Sequence, residues 1–142
     1  MKKANKRGKI RNATPLIFDG IQFRSKLEVY CYQELKKHHL EAQYEQITYE
    51  LVKPFTFMGK WLESTKTGLK LEPNKVRPMT YTPDFVGDNF IIECKGFANE
   101  QWPIKKKLIK QHLQYLDAMN VFVPSNRKQI DEIINIIKNG YK

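Results

Sequence analysis

The feature that most constrains this chain is a pair of short apolar runs joined by three turn-forming residues. The runs are YTPDFV at 81–86 and FIIECK at 90–95, and Gly87, Asp88 and Asn89 lie between them. Short apolar stretches bounded by glycine, proline and asparagine are typical of buried strands. A connection this short joins neighbouring antiparallel strands. The sequence therefore predicts a buried hairpin here.

A two-residue turn at Asp88-Asn89 sets a definite register for this hairpin. Both residue types tolerate the left-handed backbone region of a tight turn. Counting back from that turn, Asp84 lies directly opposite Glu93, and Lys95 lies on the same face two residues further on. A three-residue turn would instead bring the proline before Asp84 opposite Glu93. The residues that point to the opposite face, towards the core, are Phe85, Ile92 and Cys94.

The chemistry of these three charged residues leaves two interpretations open. Two carboxylates opposed across a strand pair repel each other unless a cation lies between them. Mg²⁺ binds carboxylate oxygens together with substrate phosphate, and it can lower the pKa of a bound water. Lys95 could position that water or stabilise charge that develops on the phosphate. However, Glu93 and Lys95 are also ordinary on an exposed strand face, and Asp84 after a proline suits a local turn.

The charge of the chain favours a polyanionic partner without identifying it. Lys and Arg number 25 against 15 Asp and Glu, which gives a net charge of +10. Such a surplus is typical of nucleic-acid-binding proteins, but it also suits an anionic membrane surface or a merely basic soluble protein. The N-terminal stretch MKKANKRGKIR, residues 1–11, has six basic residues and no acid. It is predicted to be an arm that lies along phosphates, or a solvated tail.

Cysteine, histidine and hydropathy patterns exclude several other classes of protein. Cys31 and Cys94 are too few for a disulfide framework and are not spaced as metal ligands, and the three histidines form no zinc pattern. No apolar run is long enough to span a membrane or to serve as a secretion signal. We therefore expect one intracellular domain over residues 1–142, with no membrane partner.

The beginning of the chain predicts a second hairpin. In LIFDGIQF, residues 16–23, Asp19 and Gly20 suit a two-residue turn with positive φ at both positions. That turn would pair Phe18 with Ile21.

A helix is expected to follow, with Ser25 as its N-cap. Ser25 and Glu28 match a capping box, in which a glutamate at the third helical position accepts a hydrogen bond from the N-cap amide. Glu28 can therefore be explained as a helix cap from the sequence alone.

The middle of the chain predicts a strand and a surface segment. Alternating apolar residues at 47–51 indicate a strand. The segment 58–79 contains glycines, prolines and several lysines, and it predicts a twisted hairpin or an extended insertion on the surface. Trp61 within it is expected to pack against the protein rather than to contact nucleic acid.

The C-terminal third predicts helix, strand and helix. The first helix begins near Asn99, and the strand at 121–123 is expected to be buried. Ser125 is the expected N-cap of the last helix, which Gly140 ends. The predicted apolar face of the first helix comprises Ile104, Leu108, His112 and Tyr115, and that of the second comprises Ile130, Ile133, Ile134 and Ile137. The order of elements predicts an α/β fold with a mixed central sheet flanked by helices.

Four sequence blocks resemble the PD-(D/E)xK nuclease superfamily, and within it the phage endonuclease I family of Holliday junction resolvases and related small phage nucleases. In chain order the blocks are FRSKLE (23–28), YE (44–45), YTPDF (81–85) and ECKG (93–96). The resemblance extends to VFVPSNRK at 121–128. It implies a restriction-endonuclease-like core and a metal-dependent DNA endonuclease that functions in DNA recombination.

The resemblance also implies roles for individual residues. Glu28 would join Asp84 and Glu93 at a Mg²⁺ or Mn²⁺ centre, with Lys95 as the catalytic lysine and the backbone carbonyl of Cys94 as a further ligand. A homodimer acting on four-way junctions in the cytoplasm of a phage-infected bacterium is the expected setting. The longer segment at 58–79 departs from the family and leaves dimer architecture open. The candidate phosphate contacts are Arg24, Lys105, Lys106, Lys107, Arg127 and the N-terminal arm.

Overall fold

The structure is a computed structural model that describes residues 16–95, 99–116 and 119–140. The predicted basic arm at 1–11 lies outside the described residues. The strands of the first half are β1 (Leu16–Phe18), β2 (Ile21–Phe23), β3 (Gln43–Tyr44), β4 (Tyr49–Val52), β5 (Phe55–Thr56), β6 (Leu62–Thr65) and β7 (Gly68–Leu71). The later strands are β8 (Lys75–Val76), β9 (Met79–Tyr81), β10 (Phe85–Val86), β11 (Phe90–Ile92) and β12 (Asn120–Phe122). The helices of the described ranges are α1 (Lys26–Lys37), α2 (Trp102–Leu113) and α3 (Arg127–Asn139).

The largest sheet in the described ranges has four strands in the order β12-β11-β10-β3. β11 pairs in parallel with β12, whereas β10 pairs antiparallel with both β11 and β3. The remaining strands form two-stranded antiparallel pairs. The prediction of a mixed α/β fold is therefore confirmed.

The register of the β10–β11 hairpin is the predicted one. Val86 pairs with Ile91, and the Gly87 amide donates a hydrogen bond of 2.9 Å to the Phe90 carbonyl. The turn itself does not use the left-handed region, because Asp19, His39 and Glu45 are the non-glycine residues with positive φ in the described ranges. Gly87 suits the packing instead, since a Cβ atom there would lie 2.3 Å from the Phe90 ring, which would have to move.

Both faces of this hairpin are buried. On one face Phe85 and Ile92 pack with residues of α1 and α3 in the first core cluster. On the other face Val86 and Ile91 pack with Ile109 of α2 in the second core cluster. The sheet end that carries the charged residues therefore lies between two apolar layers, which is not the environment of an exposed strand face.

The N-terminal hairpin and α1 agree with the sequence prediction. Phe18 pairs with Ile21, and both Asp19 and Gly20 have positive φ. Ser25 is the N-cap of α1, and its hydroxyl accepts a hydrogen bond of 3.2 Å from the Glu28 amide.

The last helix has the predicted inner face but a different N-cap. Ile130, Ile133 and Ile134 are buried, and Gly140 ends the helix as expected. The N-cap is Asn126 rather than Ser125, because the Asn126 side chain accepts the hydrogen bond from Gln129. The inner residue predicted in addition, Ile137, packs against the first core cluster.

The predicted apolar face of α2 is wrong in two positions. Ile104 is 65% exposed and Tyr115 is 82% exposed, whereas Ile109 and Leu113 are buried. The helix is turned so that Ile109 and Leu113 face β4 and the sheet. His112 is half-buried and contacts Tyr49 with ring centroids 5.2 Å apart, as befits a boundary histidine.

The strand predicted at 121–123 exists as β12, but it is not fully buried. Val121 is 40% exposed and Val123 is 42% exposed. The reason is that β12 is the edge strand of the four-stranded sheet.

Strands β5 to β8 form an exposed hairpin, residues 53–78. Leu62 pairs with Leu71 and Thr65 with Gly68 in its distal part. Every residue from 53 to 78 is exposed, which confirms a surface hairpin for most of the segment predicted at 58–79.

Trp61 is 56% exposed, so the expectation that it packs against the protein is wrong. Its indole N–H donates to the Glu63 carboxylate.

Within the described ranges, no helix has the length and the apolar character needed to cross a membrane.

Candidate active site

Asp84 lies at the centre of the candidate site because strands flank it on both sides. Its backbone carbonyl accepts a hydrogen bond of 2.9 Å from the Glu45 amide, next to β3. Its carboxylate oxygen Oδ2 accepts a hydrogen bond of 2.8 Å from the Cys94 amide, which follows β11. Asp84 is 7% exposed. The carboxylate is therefore fixed in position and nearly removed from solvent.

Glu93 meets Asp84 from the opposite strand, as the register predicts. Its oxygen Oε2 accepts hydrogen bonds from the Asp84 amide at 3.3 Å and from the Tyr81 hydroxyl at 2.9 Å. Its side chain is 14% exposed. The Glu93 amide donates to the Phe122 carbonyl at 2.9 Å, which continues the pairing between β11 and β12. Two acids from opposite strands thus share one largely buried site.

Glu28 approaches this site from α1 and is 6% exposed. Its oxygen Oε2 accepts hydrogen bonds from the Arg24 amide at 3.0 Å and from the Tyr44 hydroxyl at 2.7 Å. The predicted capping box is therefore modified, because Glu28 bonds the amide one residue before the N-cap Ser25. The capping role of Glu28 is real, but it does not exclude a second role, since one oxygen accepts both bonds.

The pKa shifts show that these acids lie close enough to repel each other. The pKa of Asp84 is raised to about 8, first because burial disfavours its charged form and then because Glu93 and Glu28 repel a negative charge there. Burial also raises the pKa of Glu93, and the hydrogen bond from Tyr81 and the charge of Lys95 oppose that shift. Both shifts therefore favour the protonated forms of the two acids when no cation lies between them.

Lys95 is anchored by its backbone and by two side-chain contacts. Its amide donates a hydrogen bond of 3.0 Å to the Pro124 carbonyl. Its Nζ lies 3.9 Å from Glu93 Oε1 and 4.1 Å from the centroid of the Trp102 ring. The side chain is 24% exposed, so the ammonium group borders both the acids and solvent.

Cys94 occupies the position between Glu93 and Lys95, and its side chain packs against the first core cluster, as predicted. Both Cys31 and Cys94 are free thiols.

The predicted phosphate contacts fall into two groups. Arg24 and Lys105 lie beside the site, since Arg24 Nε is 3.0 Å from Glu45 Oε1 and Lys105 Nζ is 5.2 Å from the centroid of the Tyr81 ring. Lys106 and Lys107 are exposed on α2. Arg127 lies over the Tyr30 ring, with its Cζ 4.9 Å from the centroid, at the start of α3.

The chain matches, over residues 7–128, the family described as a protein of unknown function, DUF1064. It belongs to this family. No curated protein and no solved structure matches the chain.

The available carboxylate oxygens of Asp84 and Glu93 suit a hard divalent cation, although a third acid among the described residues does not join them. Asp84 Oδ1 accepts no hydrogen bond from any described residue, and Glu93 Oε1 has only the Lys95 ammonium at 3.9 Å. Two repelling, largely buried carboxylates with available oxygens are a typical binding environment for such a cation. Across the described ranges, however, no three His, Cys, Asp or Glu side chains are grouped as a metal site. Glu28 is thus a neighbour of the pair rather than part of a formed triad.

Sequence reasoning did not assign roles to three aromatic residues that contact the charged groups. Tyr44 and Tyr81 donate hydrogen bonds to Glu28 and Glu93, and Trp102 lies against Lys95. The signal for the tyrosines was present, because Tyr44 lies within the sequence block YE and Tyr81 within YTPDF. Nothing in the sequence around Trp102 distinguishes it from a core residue at the start of a helix.

Proposed function

We propose that this protein is a Mg²⁺- or Mn²⁺-dependent DNA endonuclease of the PD-(D/E)xK type with a restriction-endonuclease-like core. The observation that carries the proposal is the meeting of Asp84 and Glu93 in one buried site with Lys95 beside them. Burying two acids together costs stability, and a cation that binds between them would offset that cost. The substrate we propose is branched DNA such as a four-way junction.

The roles of the acids follow from their positions. Asp84 and Glu93 would hold the metal ion, Glu28 would assist them, and the Cys94 carbonyl would be a further ligand, as the family resemblance implies. When bound, the ion supplies polarisation of the scissile phosphate and acidification of a water molecule. Tyr81 and the Cys94 amide hold the two carboxylates in place through their hydrogen bonds.

Lys95 would act on the attacking water and on the phosphate. Its ammonium group borders solvent and is close to Glu93, so it can donate hydrogen bonds to a water molecule or to a phosphate oxygen there. Attack by that water forms a new P–O bond, with loss of the water proton to solvent, and breaks the bond to the leaving oxygen, which takes up a proton from solvent. One DNA end then carries the phosphate and the other carries a hydroxyl group.

The basic surface would bring DNA to this site. Arg24 and Lys105 are beside the acids, and Lys106, Lys107 and Arg127 extend the positive charge along α2 and α3. Contacts of this kind make binding steeply dependent on salt concentration. The proposed homodimer and the proposed setting, DNA recombination in the cytoplasm of a phage-infected bacterium, rest on the family resemblance.

One observation favours a second candidate, a DNA-binding or adaptor protein that does not cleave. No three-residue metal site is formed among the described residues, and Glu28 is already engaged by Arg24 and Tyr44. A nuclease for duplex or single-stranded DNA, rather than junctions, is the alternative within the enzyme class. The buried pair of acids argues against a pure binder, because carboxylates facing a polyanion oppose binding.

A cleavage assay with a matched lysine control tests the proposal. Wild type, Lys95→Ala and Lys37→Ala are incubated with a four-way junction, a duplex and a single strand, in Mg²⁺ or in EDTA. Lys37 is an exposed lysine at the end of α1, paired with Glu34 at 3.8 Å. We expect Mg²⁺-dependent cleavage by wild type and Lys37→Ala, with preference for the junction, and at least about 100-fold slower cleavage by Lys95→Ala.

Other outcomes select the alternatives. Equal cleavage by Lys95→Ala and Lys37→Ala would refute the proposed mechanism. Binding of DNA with no cleavage of any substrate in Mg²⁺ or Mn²⁺ would favour the adaptor protein. Equal or faster cleavage of duplex would exclude a junction resolvase while leaving the nuclease in place.

A further inference from the structure

The ammonium group of Lys95 lies between an acid and an aromatic face. Glu93 Oε1 is 3.9 Å away, at the outer limit of an ion pair, and the centroid of the Trp102 ring is 4.1 Å away. A cation within about 6 Å of an indole centroid is attracted by the negative face of the ring, and tryptophan is the strongest such partner. The distance to the ring is thus well within the range of a cation–π contact, whereas the distance to the acid is near the limit for an ion pair.

We propose that Trp102 is a positioning residue for Lys95, which it holds beside the two acids. This inference rests on the proposed function, in which Lys95 is the catalytic lysine. Trp102 itself touches neither Asp84 nor Glu93 by any hydrogen bond in the described residues, so its action is through Lys95.

Glu93 is poorly suited to hold Lys95 by itself. Its Oε2 accepts hydrogen bonds from the Tyr81 hydroxyl and the Asp84 amide, so its Oε1 is the oxygen left available for a cation in the proposed function. A cation there would compete with the ammonium group for the same negative charge. A metal cation bound to the carboxylates does not compete for the indole face. The ring also offers no hydrogen-bond acceptor atom that would occupy the N–H groups of Lys95. The ammonium group therefore keeps donors for water or phosphate while it stays in place.

The indole can act as a fixed support because α2 anchors it. Trp102 is the first residue of α2, and Pro103 follows it at the start of the helix. The Trp102 amide donates a hydrogen bond of 3.1 Å to the Asn99 carbonyl. The side chain is half-buried and packs against the second core cluster, to which Tyr81 belongs. One part of the ring thus contacts the core while its face meets Lys95.

Kinetics with a matched tryptophan control test this role. Trp102→Leu keeps an apolar side chain but removes the π face, and Trp102→Phe keeps a weaker one. Trp61→Leu is the matched control, since Trp61 is exposed and its indole N–H donates to Glu63 within the hairpin at 53–78. With the DNA substrate that wild type cleaves, we expect Trp102→Leu to lower kcat by about 5- to 30-fold with little change in KM. Trp102→Phe should lie between Trp102→Leu and wild type, and Trp61→Leu should match wild type.

The kinetic result can go against the inference in two ways. Equal kcat for Trp102→Leu and Trp61→Leu would overturn it, and so would a Trp102→Phe variant as slow as Trp102→Leu, because packing alone would then explain the loss. Thermal unfolding of each variant accompanies the kinetics, and only variants with a cooperative transition are compared.

A fluorescence experiment tests the contact without cleavage. The sequence has two tryptophans, so Trp61→Phe leaves Trp102 as the sole indole fluorophore. In that background Lys95→Met should shift the Trp102 emission, because a charge over the ring is removed. Lys106→Met, on the exposed face of α2, should not. Equal spectra for Lys95→Met and its parent would overturn the contact whether or not the protein cleaves DNA. A wild type that cleaves no DNA would instead refute the proposed function, and with it the catalytic value of the contact.

Discussion

The carboxylate of Asp84 accepts a hydrogen bond of 2.8 Å from the backbone amide of Cys94, the residue between Glu93 and Lys95. This bond connects the two strands of the hairpin at the site where both acids lie. It opposes the rise in the Asp84 pKa, but burial and the neighbouring acids outweigh it. Asp84 is therefore held firmly in a position that suits its charged form only when a cation is present.

The first prediction concerns the pH dependence of stability without divalent cations. The pKa of Asp84 is about 8 in the folded protein against 3.8 for an ordinary aspartate. Between these values the folded protein keeps a proton that the unfolded chain has released, so the free energy of unfolding falls as pH rises from about 4 to about 8. Asp84→Asn removes this loss. At pH 8 in EDTA we expect Asp84→Asn to melt about 5 °C or more above wild type, with the difference much smaller at pH 4.

Metal ions should reverse this difference if the proposed function is right. Millimolar Mg²⁺ or Mn²⁺ at pH 8 should raise the Tm of wild type and leave that of Asp84→Asn nearly unchanged, because only the carboxylate pair binds the ion. A pH-independent difference in Tm between the two proteins in EDTA would contradict the raised pKa of Asp84.

The second prediction separates the two roles of Glu28. In α3 the residue at the same helical position, Gln129, accepts a hydrogen bond of 2.8 Å from the amide of Ser125, one residue before the N-cap. Glu28 does the same with the Arg24 amide. A glutamine therefore fits this cap. The free energy of unfolding of Glu28→Gln should stay within about 1 kcal/mol of the wild-type value. Glutamine is a poor ligand for a hard cation, so Mg²⁺-dependent cleavage should be lost.

Glu28→Ala is the comparison for this experiment. It removes the cap as well and should destabilise the protein by about 1 kcal/mol or more. If Glu28→Gln cleaved DNA at the wild-type rate, Glu28 would be only a helix cap.

The third prediction concerns the hydrogen bond from Tyr81 to Glu93, which is 2.9 Å long. This bond lowers the pKa of Glu93 against the effect of burial. Tyr81→Phe should therefore raise the pKa of Glu93, and the pH at which cleavage becomes half-maximal should move upward. Tyr49→Phe is a matched control, because Tyr49 packs against the same core cluster but its hydroxyl donates no hydrogen bond among the described residues. An unshifted pH profile for Tyr81→Phe would show that Glu93 does not limit cleavage.

The fourth prediction concerns the exposed hairpin, residues 53–78. No residue in it is buried, and Thr56 pairs with Lys75 near its base. Replacing residues 57–74 by Asn-Gly should close the shortened hairpin with a two-residue turn. We expect the Tm to change by no more than about 3 °C, whereas Phe85→Ala in the core should cost about 3–5 kcal/mol. A large loss of Tm on shortening would show that the hairpin is buried against another surface in solution, and light scattering would then test for a second copy.

Local sequence was sufficient for the hairpins and for Ser25 as the N-cap of α1, because these depend on neighbouring residues, but it placed the N-cap of α3 at Ser125 instead of Asn126. The Asp88-Asn89 spacing was sufficient for the register that places Asp84 opposite Glu93, because pairing in a hairpin follows from turn length and alternation. The buried face of α3 was equally well predicted, since a single stripe of isoleucines runs along this helix. By contrast, α2 carries two overlapping apolar stripes, and only its contact with β4 decided that Ile109 rather than Ile104 is buried.

The environment of the candidate site depended on tertiary structure. Sequence spacing cannot tell that both faces of the hairpin are covered, and that burial is the main cause of the raised pKa of Asp84. Nor can it bring Glu28 from α1 or Trp102 from α2 to the end of β11, because those approaches depend on how separate helices pack on the sheet. Local pairing put the two acids opposite each other, and helix packing gave them a buried environment and an aromatic support for Lys95.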